Sequence, residues 1–225
     1  MKRFLNNLLP GLLALLCASS VHAGVNIGGT RVIYDGGKKE AAIGVSNPDS
    51  VPYLIQSWFD NLDNSAGKIP FIITPPLYRL DRGQENVMRI VRAGNVPDNK
   101  ESMYWLNIKA IPAAEKKANS LQIAVKTRIK LIYRPASLKR ESPEDFAEKL
   151  VWTISGNHIS VRNPGNLYMN FNEITVAGKN VPEPTYVAPG ALATFSLPAG
   201  VSSGPVTFKL INDFGGVGVT HHVAI

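Results

Sequence analysis

Three observations predict that this chain is all-β and built as two sandwiches. Short runs of alternating apolar and polar residues recur between Gly, Pro, Asn and Asp turn signals, as strands do. No stretch carries a convincing helical period, and Glu144 to Leu150 is at most a turn or two. A polar segment bordered by prolines, Ala136 to Pro143, divides the β pattern into a longer first part and a shorter second part.

Residues 1–23 stand apart from both. Lys2 and Arg3 precede a short apolar run from Leu8 to Ala18, and Val21-His22-Ala23 places small residues at the cleavage-site positions. The pattern is that of a secretory signal peptide, too short and wrongly flanked for a membrane span. Cys17 follows Leu16, which does not suit a lipoprotein signal, and it is the only cysteine. The exported chain is therefore expected to hold itself together without a disulfide, which a β core of about 200 residues can do. No later segment has about 18 unbroken apolar residues, so no membrane span is expected. Without Lys2 and Arg3 the charge is 22 basic against 17 acidic residues. That surplus is small and spread out, which argues against a nucleic-acid partner.

In order, Val25 to Tyr34 is a strand expected to bulge or change sheet at Gly28-Gly29. Ala41 to Ser46 is the next strand, closed by Asn47-Pro48-Asp49, and Pro52 to Phe59 follows. Phe71 to Thr74 and Leu77 to Leu80 flank Pro75-Pro76, where a bend and a cis bond are permitted. Asn86 to Val91 and Ser102 to Ile111 precede a long alternating stretch, Leu121 to Pro135, which implies a sandwich of about seven strands. After the linker the pattern restarts at Leu150 to Ile154 and His158 to Val161, and a turn follows at Asn163-Pro164-Gly165. It continues through Leu167 to Val176, Thr185 to Val187, Ala191 to Leu197, Val206 to Ile211 and Gly218 to Ala224. The boundaries read as 24–135, a linker at 136–143, and 144–225.

Catalytic constellations are not evident. Gly44-Val45-Ser46-Asn47-Pro48 lacks the second glycine of a hydrolase elbow, and Gly215-Gly216-Val217-Gly218 lacks the lysine of a phosphate loop. His221 and His222 are adjacent on a strand and should point to opposite faces, which does not suit a shared metal. His158 has no partner in sequence. Two cation groups remain, Arg31 on the first strand and Lys126, Arg128 and Lys130 on the long one. On charge alone these could be an ordinary solvated face. The aliphatic row Leu121, Ile123, Val125 likewise admits two readings, a core strand or an edge offered to another chain.

Val96 to Pro112, VPDNKESMYWLNIKAIP, resembles the signature of the periplasmic pilus chaperones of the chaperone–usher pathway. So do Thr30 to Tyr34, Pro52 to Trp58, Thr74-Pro75-Pro76, Arg79-Leu80, Lys117 to Asn119, Ile129 to Pro135 and Ile211 to Gly216. The resemblance implies two immunoglobulin-like sandwiches set at an angle around a cleft. It implies no enzymatic activity and no cofactor, a periplasmic location, and fimbrial subunits and an outer-membrane usher as partners. Self-association capping the donor strand belongs to the same expectation. Leu121, Ile123 and Val125 would fill the subunit's open groove, while Arg31 and Lys130 would hold its C-terminal carboxylate. Glu101, Arg134 and Asp213 would form an ion network between the domains. The short connection Pro112 to Ser120 resembles the short-loop branch of the family. The competing class, a structural or adhesive fimbrial subunit, typically carries a disulfide and an N-terminal donor extension, and neither is read here. Lys130 and Leu121 differ in parity, so a twist or bulge near Thr127-Arg128 is expected to reconcile their roles.

Overall fold

The computed structural model describes residues 24–113 and 121–223. The signal-peptide expectation and the middle of the Pro112–Ser120 connection, including its short-loop reading, lie outside the described residues.

The first part contains β1 (Asn26–Ile27), β2 (Arg31–Asp35), β3 (Glu40–Ser46), β4 (Tyr53–Asp60), β5 (Phe71–Thr74), β6 (Leu77–Leu80), β7 (Glu85–Arg92), β8 (Ser102–Pro112) and β9 (Val125–Arg134). They form two sheets, in the orders β1-β3-β7-β5 and β2-β9-β8-β4-β6. Two runs of chain change sheet. The break at Gly28-Gly29 separates β1, paired with β3, from β2, paired in parallel with β9. The break at Pro75-Pro76 separates β5, on β7, from β6, on β4, and the Thr74–Pro75 bond is cis. The inward row of each strand closes one core, with Val32, Tyr34, Ile55, Met88, Ile90, Leu106, Ile129 and Leu131 all buried. Phe71 sits at its centre, 5.4 to 5.9 Å from the rings of Tyr34, Tyr104 and Tyr133.

The second part holds β10 (Val151–Ser155), β11 (His158–Arg162), β12 (Met169–Val176), β13 (Lys179–Asn180), β14 (Tyr186–Val187), β15 (Leu192–Ser196), β16 (Val206–Ile211) and β17 (Val217–Val223). One sheet runs β10-β11-β15 and the other β13-β12-β16-β17, with β14 beside β12. Trp152, Phe171 and Phe208 form the centre of this core, with ring centroids 5.1 to 6.0 Å apart. β13 was not foreseen. It is the short return of a hairpin around Ala177-Gly178, both at positive φ, too brief to show a period.

The two parts lack an obvious sequence repeat, yet each buries an asparagine at an Asn-Pro turn. Asn47 Nδ2 donates to Val51 O and Leu80 O, and its Oδ1 accepts from Asp49 N–H. Asn163 Nδ2 donates to Leu167 O and Ala188 O, and its Oδ1 accepts from Gly165 N–H. The side-chain amide satisfies backbone groups that a loop would otherwise bury unpaired. Between the parts, Ala136–Leu138 and Pro143–Lys149 are 3-10 turns, the second opened by a capping box of Ser142 and Asp145 with Pro143 at its first position.

The long strand is shorter than its alternation predicts. β9 starts at Val125, and Leu121 to Ala124 precede it without ladder pairing. The β8–β9 ladder runs out at Ala110↔Val125, so these four residues are not paired into the sheet. Only the Gln122 amide reaches across, to the Pro112 carbonyl.

Candidate subunit-binding cleft

β9 is covered on one edge by β8 along its length, while β2 covers the other edge only from Arg31↔Lys130 onwards. The sheet change at Gly28-Gly29 is the cause, because β1 pairs with β3 instead. Among the described residues, the N-terminal half of β9 therefore has a free edge. Leu121, Ile123 and Val125 stand beside it, 87%, 66% and 57% exposed. They continue the core-facing row past the end of the sandwich, where no second sheet covers them. A cavity of about 490 Å³ lies there, lined by Val25, Ile27, Tyr53, Ala110, Ile123 and Val125 among others.

Where β2 begins, two cations meet. Arg31 and Lys130 are register partners on neighbouring parallel strands. Lys130 Nζ donates to Asn170 Oδ1 at 2.6 Å and lies 5.3 Å from the centre of the Tyr186 ring, both in the second domain. Arg31 Nη1 donates to Ile211 O at 3.4 Å, and its buried Nε has no partner. Burial, with the Arg31 charge beside it, pulls the Lys130 ammonium down to about 8. Burial also lowers Arg31, opposed by the Asp213 charge. Among the described residues neither cation has an ion-pair partner. Two like charges held together, one with an idle N–H, make a site for a small anion.

The parity expectation is overturned. The β8–β9 ladder is unbroken from Ser102↔Tyr133 to Ala110↔Val125, with no bulge at Thr127-Arg128. None is needed for the expected roles, since the aliphatic row and Lys130 lie on opposite faces. Ile129, Leu131 and Tyr133 face the core, whereas Lys130 faces the second domain. A chain added at the edge would meet both faces at once.

Behind the cations the domains are tied by a buried ion group. Arg134 Nε donates to Glu101 Oε1 at 2.7 Å, and Nη1 and Nη2 donate to the two Asp213 oxygens at 2.6 and 2.8 Å. Nη1 also reaches Glu141 O in the linker. The second Glu101 oxygen accepts from Tyr168 N–H at 2.7 Å, and Glu101 N–H donates to Asn166 O. Burial pushes the Glu101 carboxyl up, against the pull of Arg134. Arg134 is held above its usual value by its carboxylate partners in spite of burial. Sequence reasoning missed Tyr168, Asn170, Tyr186 and Glu141, because main-chain contacts and a neutral amide carry no charge or periodic signal. The ring of His221 stacks on Phe208, and its Nε2 lies 2.7 Å from Glu144 Oε2, joining the second 3-10 turn to β17.

We expect Asp213→Ala to loosen the inter-domain angle while both sandwiches stay folded, because it removes a bidentate contact from the second domain. Small-angle scattering checks this through a larger radius of gyration, and an unchanged profile would contradict it.

Two family models match the chain. The pili and flagellar-assembly chaperone, PapD N-terminal domain, matches residues 24–139, and the pili assembly chaperone PapD, C-terminal domain, matches residues 145–222. The chaperone protein LpfB of Salmonella typhimurium is 44% identical over 92% of this chain and 91% of its own length. The chaperone protein FimC of Escherichia coli K12 is 41% identical over 92% and 88%. One chain of the Salmonella enterica structure of the SafA pilin in complex with the SafB chaperone superposes with a TM-score of 0.84, at 36% identity, over 92% of this chain and 99% of that one. The E. coli chaperone DraB gives 0.80 at 36% identity, over 90% and 96%. Both domains and their order thus agree with one family, and this chain belongs to the fimbrial chaperones of the chaperone–usher pathway.

Proposed function

We propose that this protein captures exported fimbrial subunits in the periplasm by lending them the free edge of β9. The observation that carries the reading is the Arg31–Lys130 pair standing at the closed end of an open, aliphatic-fronted strand edge. A subunit lacking its last strand exposes an apolar groove and unpaired backbone groups, both prone to aggregation. The edge of β9 supplies the backbone hydrogen bonds, and Leu121, Ile123 and Val125 fill the groove. Each aliphatic contributes on the order of 1.5–3 kcal/mol before ordering costs. Arg31 and Lys130 hold the subunit's C-terminal carboxylate and so set register, since a one-residue slip would offer Gln122 and Ala124 instead. Delivery to an outer-membrane usher is part of the same proposal. A second copy of this chain covering the same apolar row is the proposed state when no subunit is present.

The test is to purify the tagged protein from periplasm and identify what co-elutes. A small β-rich pilin-like chain at 1:1 is expected; recovery of the protein without any subunit, from cells expressing its fimbrial genes, would overturn the reading.

Two further outcomes are expected. Ile123→Asp should reduce subunit binding at least about tenfold, because a carboxylate would enter an apolar groove. Measured at a concentration low enough to keep the protein monomeric, its thermal midpoint should be unchanged, because that side chain is exposed in the single chain. The second concerns pH. Lys130 titrates at about 8 when no subunit is bound, and a bound carboxylate favours its charged form. Affinity should be full below pH 8 and fall as pH rises above it. Stability of the free protein should move the other way, rising from pH 8 towards 10.5, because there the folded state holds fewer protons than the unfolded one. Titration calorimetry and urea unfolding across pH 7–10 read the two slopes.

A further inference from the structure

β1 is two residues long and follows closely on the cleavage site expected after Ala23. Its ladder to β3 consists of Asn26↔Ser46 and Ile27↔Val45, extended by the Gly28 N–H, which donates to Gly44 O at 2.9 Å. So short a strand at a chain terminus frays unless something ties it down. Yet Val25 and Ile27 pack against the core of the first domain and, with Ile123 and Val125, line the cavity of about 490 Å³.

The tie is at Gly24. Its N–H donates to Asp49 Oδ2 at 2.9 Å, and Tyr53 Oη donates to the same oxygen at 2.6 Å. The Asn-Pro turn fixes the acid in place, because Asp49 N–H donates to Asn47 Oδ1. The hydrogen bond to Asp49, aided by burial, pushes the Tyr53 phenol up to about 12, so this donor stays neutral. Among the described residues no lysine, arginine or histidine pairs with Asp49. A half-buried carboxylate thus meets neutral donors alone, one of them a main-chain nitrogen at the edge of the expected signal peptide.

Removal of that peptide changes the nitrogen. Hydrolysis of the Ala23–Gly24 bond turns the Gly24 amide into an α-ammonium, which carries a positive charge at neutral pH and three N–H donors. The charged donor then stands where the neutral one stood, and a plain hydrogen bond becomes an ion pair. We propose that Asp49, with Tyr53 beside it, is the receptor for the mature α-ammonium, and that processing thereby pins β1 on β3 as one wall of the cavity beside the free edge of β9. The inference does not depend on subunit binding.

The intact mass of the protein recovered from periplasm should place its first residue at Gly24. That form is compared with one carrying Ser-Gly-Ser before Gly24, which keeps the amide N–H and moves the positive charge away. Each is made with Asp49 and with Asp49→Asn, which keeps an acceptor for Tyr53 but no charge. Thermal midpoints are read at a concentration that keeps the protein monomeric, and exchange of the Gly28 amide by NMR. With Asp49 in place, the extension should lower the midpoint by about 2 °C and speed that exchange about threefold. Asp49→Asn should have a similar effect with the mature terminus, and the extension should then add nothing, since the pair is already gone. Equal midpoints and exchange rates for the mature and extended forms would overturn the inference. So would additive losses from the extension and Asp49→Asn, or a mature chain that does not begin at Gly24.

Discussion

Lys130→Met or Arg31→Ala is expected to lower subunit affinity by at least about a hundredfold while leaving the chaperone folded. Removing one partner of a buried, hydrogen-bonded charge pair at an interface costs about 2–5 kcal/mol, or roughly thirty- to several thousandfold. Here the loss falls at the upper end, because the carboxylate would keep its desolvation cost and lose half of its compensation. The free protein has the opposite balance. Arg31 and Lys130 repel one another and are depressed by burial, so deleting either relieves a cost. Lys130→Met keeps the aliphatic stem over the Tyr186 ring and removes only the ammonium. The expected signature is thus a thermal midpoint that is unchanged or higher, together with loss of the co-purified subunit. Normal subunit yield from either variant would rule out the anchor role. A fall in midpoint matching the fall in yield would mean that the residue acts through folding instead.

Arg134→Ala is expected to be the most destabilising single change in the inter-domain region, at about 3–5 kcal/mol by urea unfolding. The Glu101 side chain is only 1% exposed, and without Arg134 its charge would be left with the Tyr168 N–H. Asp213 is 28% exposed, so Asp213→Ala should cost much less and act chiefly on the angle. The pH dependence separates a stranded charge from a lost packing contact. In Arg134→Ala the Glu101 carboxyl, already pushed up by burial, loses its nearest cation. Its folded-state value then lies further above its unfolded one, so the penalty is full at neutral pH and shrinks as pH falls towards the acid range. The double variant Arg134→Met with Glu101→Gln removes both charges and should recover much of the loss, a coupling that a double-mutant cycle measures. A pH-independent penalty, unchanged in the double variant, would show that the ion group is not what holds this region.

The two variants bear on residues of unequal legibility. Resemblance, and not pattern, points to Arg31, Lys130, Glu101, Arg134 and Asp213. The structure brings Arg31 beside Lys130, and Arg134 between Glu101 and Asp213. Strand alternation alone left Lys126, Arg128 and Lys130 as an ordinary solvated face. It could not say that one of them meets the second domain, because that depends on how two sandwiches pack 40 residues apart in the chain.

What the residues alone could settle is what depends on near neighbours. Alternation with period two, the Asn-Pro and Gly-Gly turns and the proline-bordered linker are local, and they predict the strands, a bulge or sheet change at Gly28-Gly29 and the division into two units. The open edge of β9 is another matter. It exists because β1 goes to β3 and leaves β2 to cover only the last five residues of β9, a choice made by pairing partners distant in sequence. For the same reason Leu121 to Val125 alternates like a strand yet stands exposed. A strand is completed by its neighbour, and here the pairing pattern leaves that place beside β9 empty.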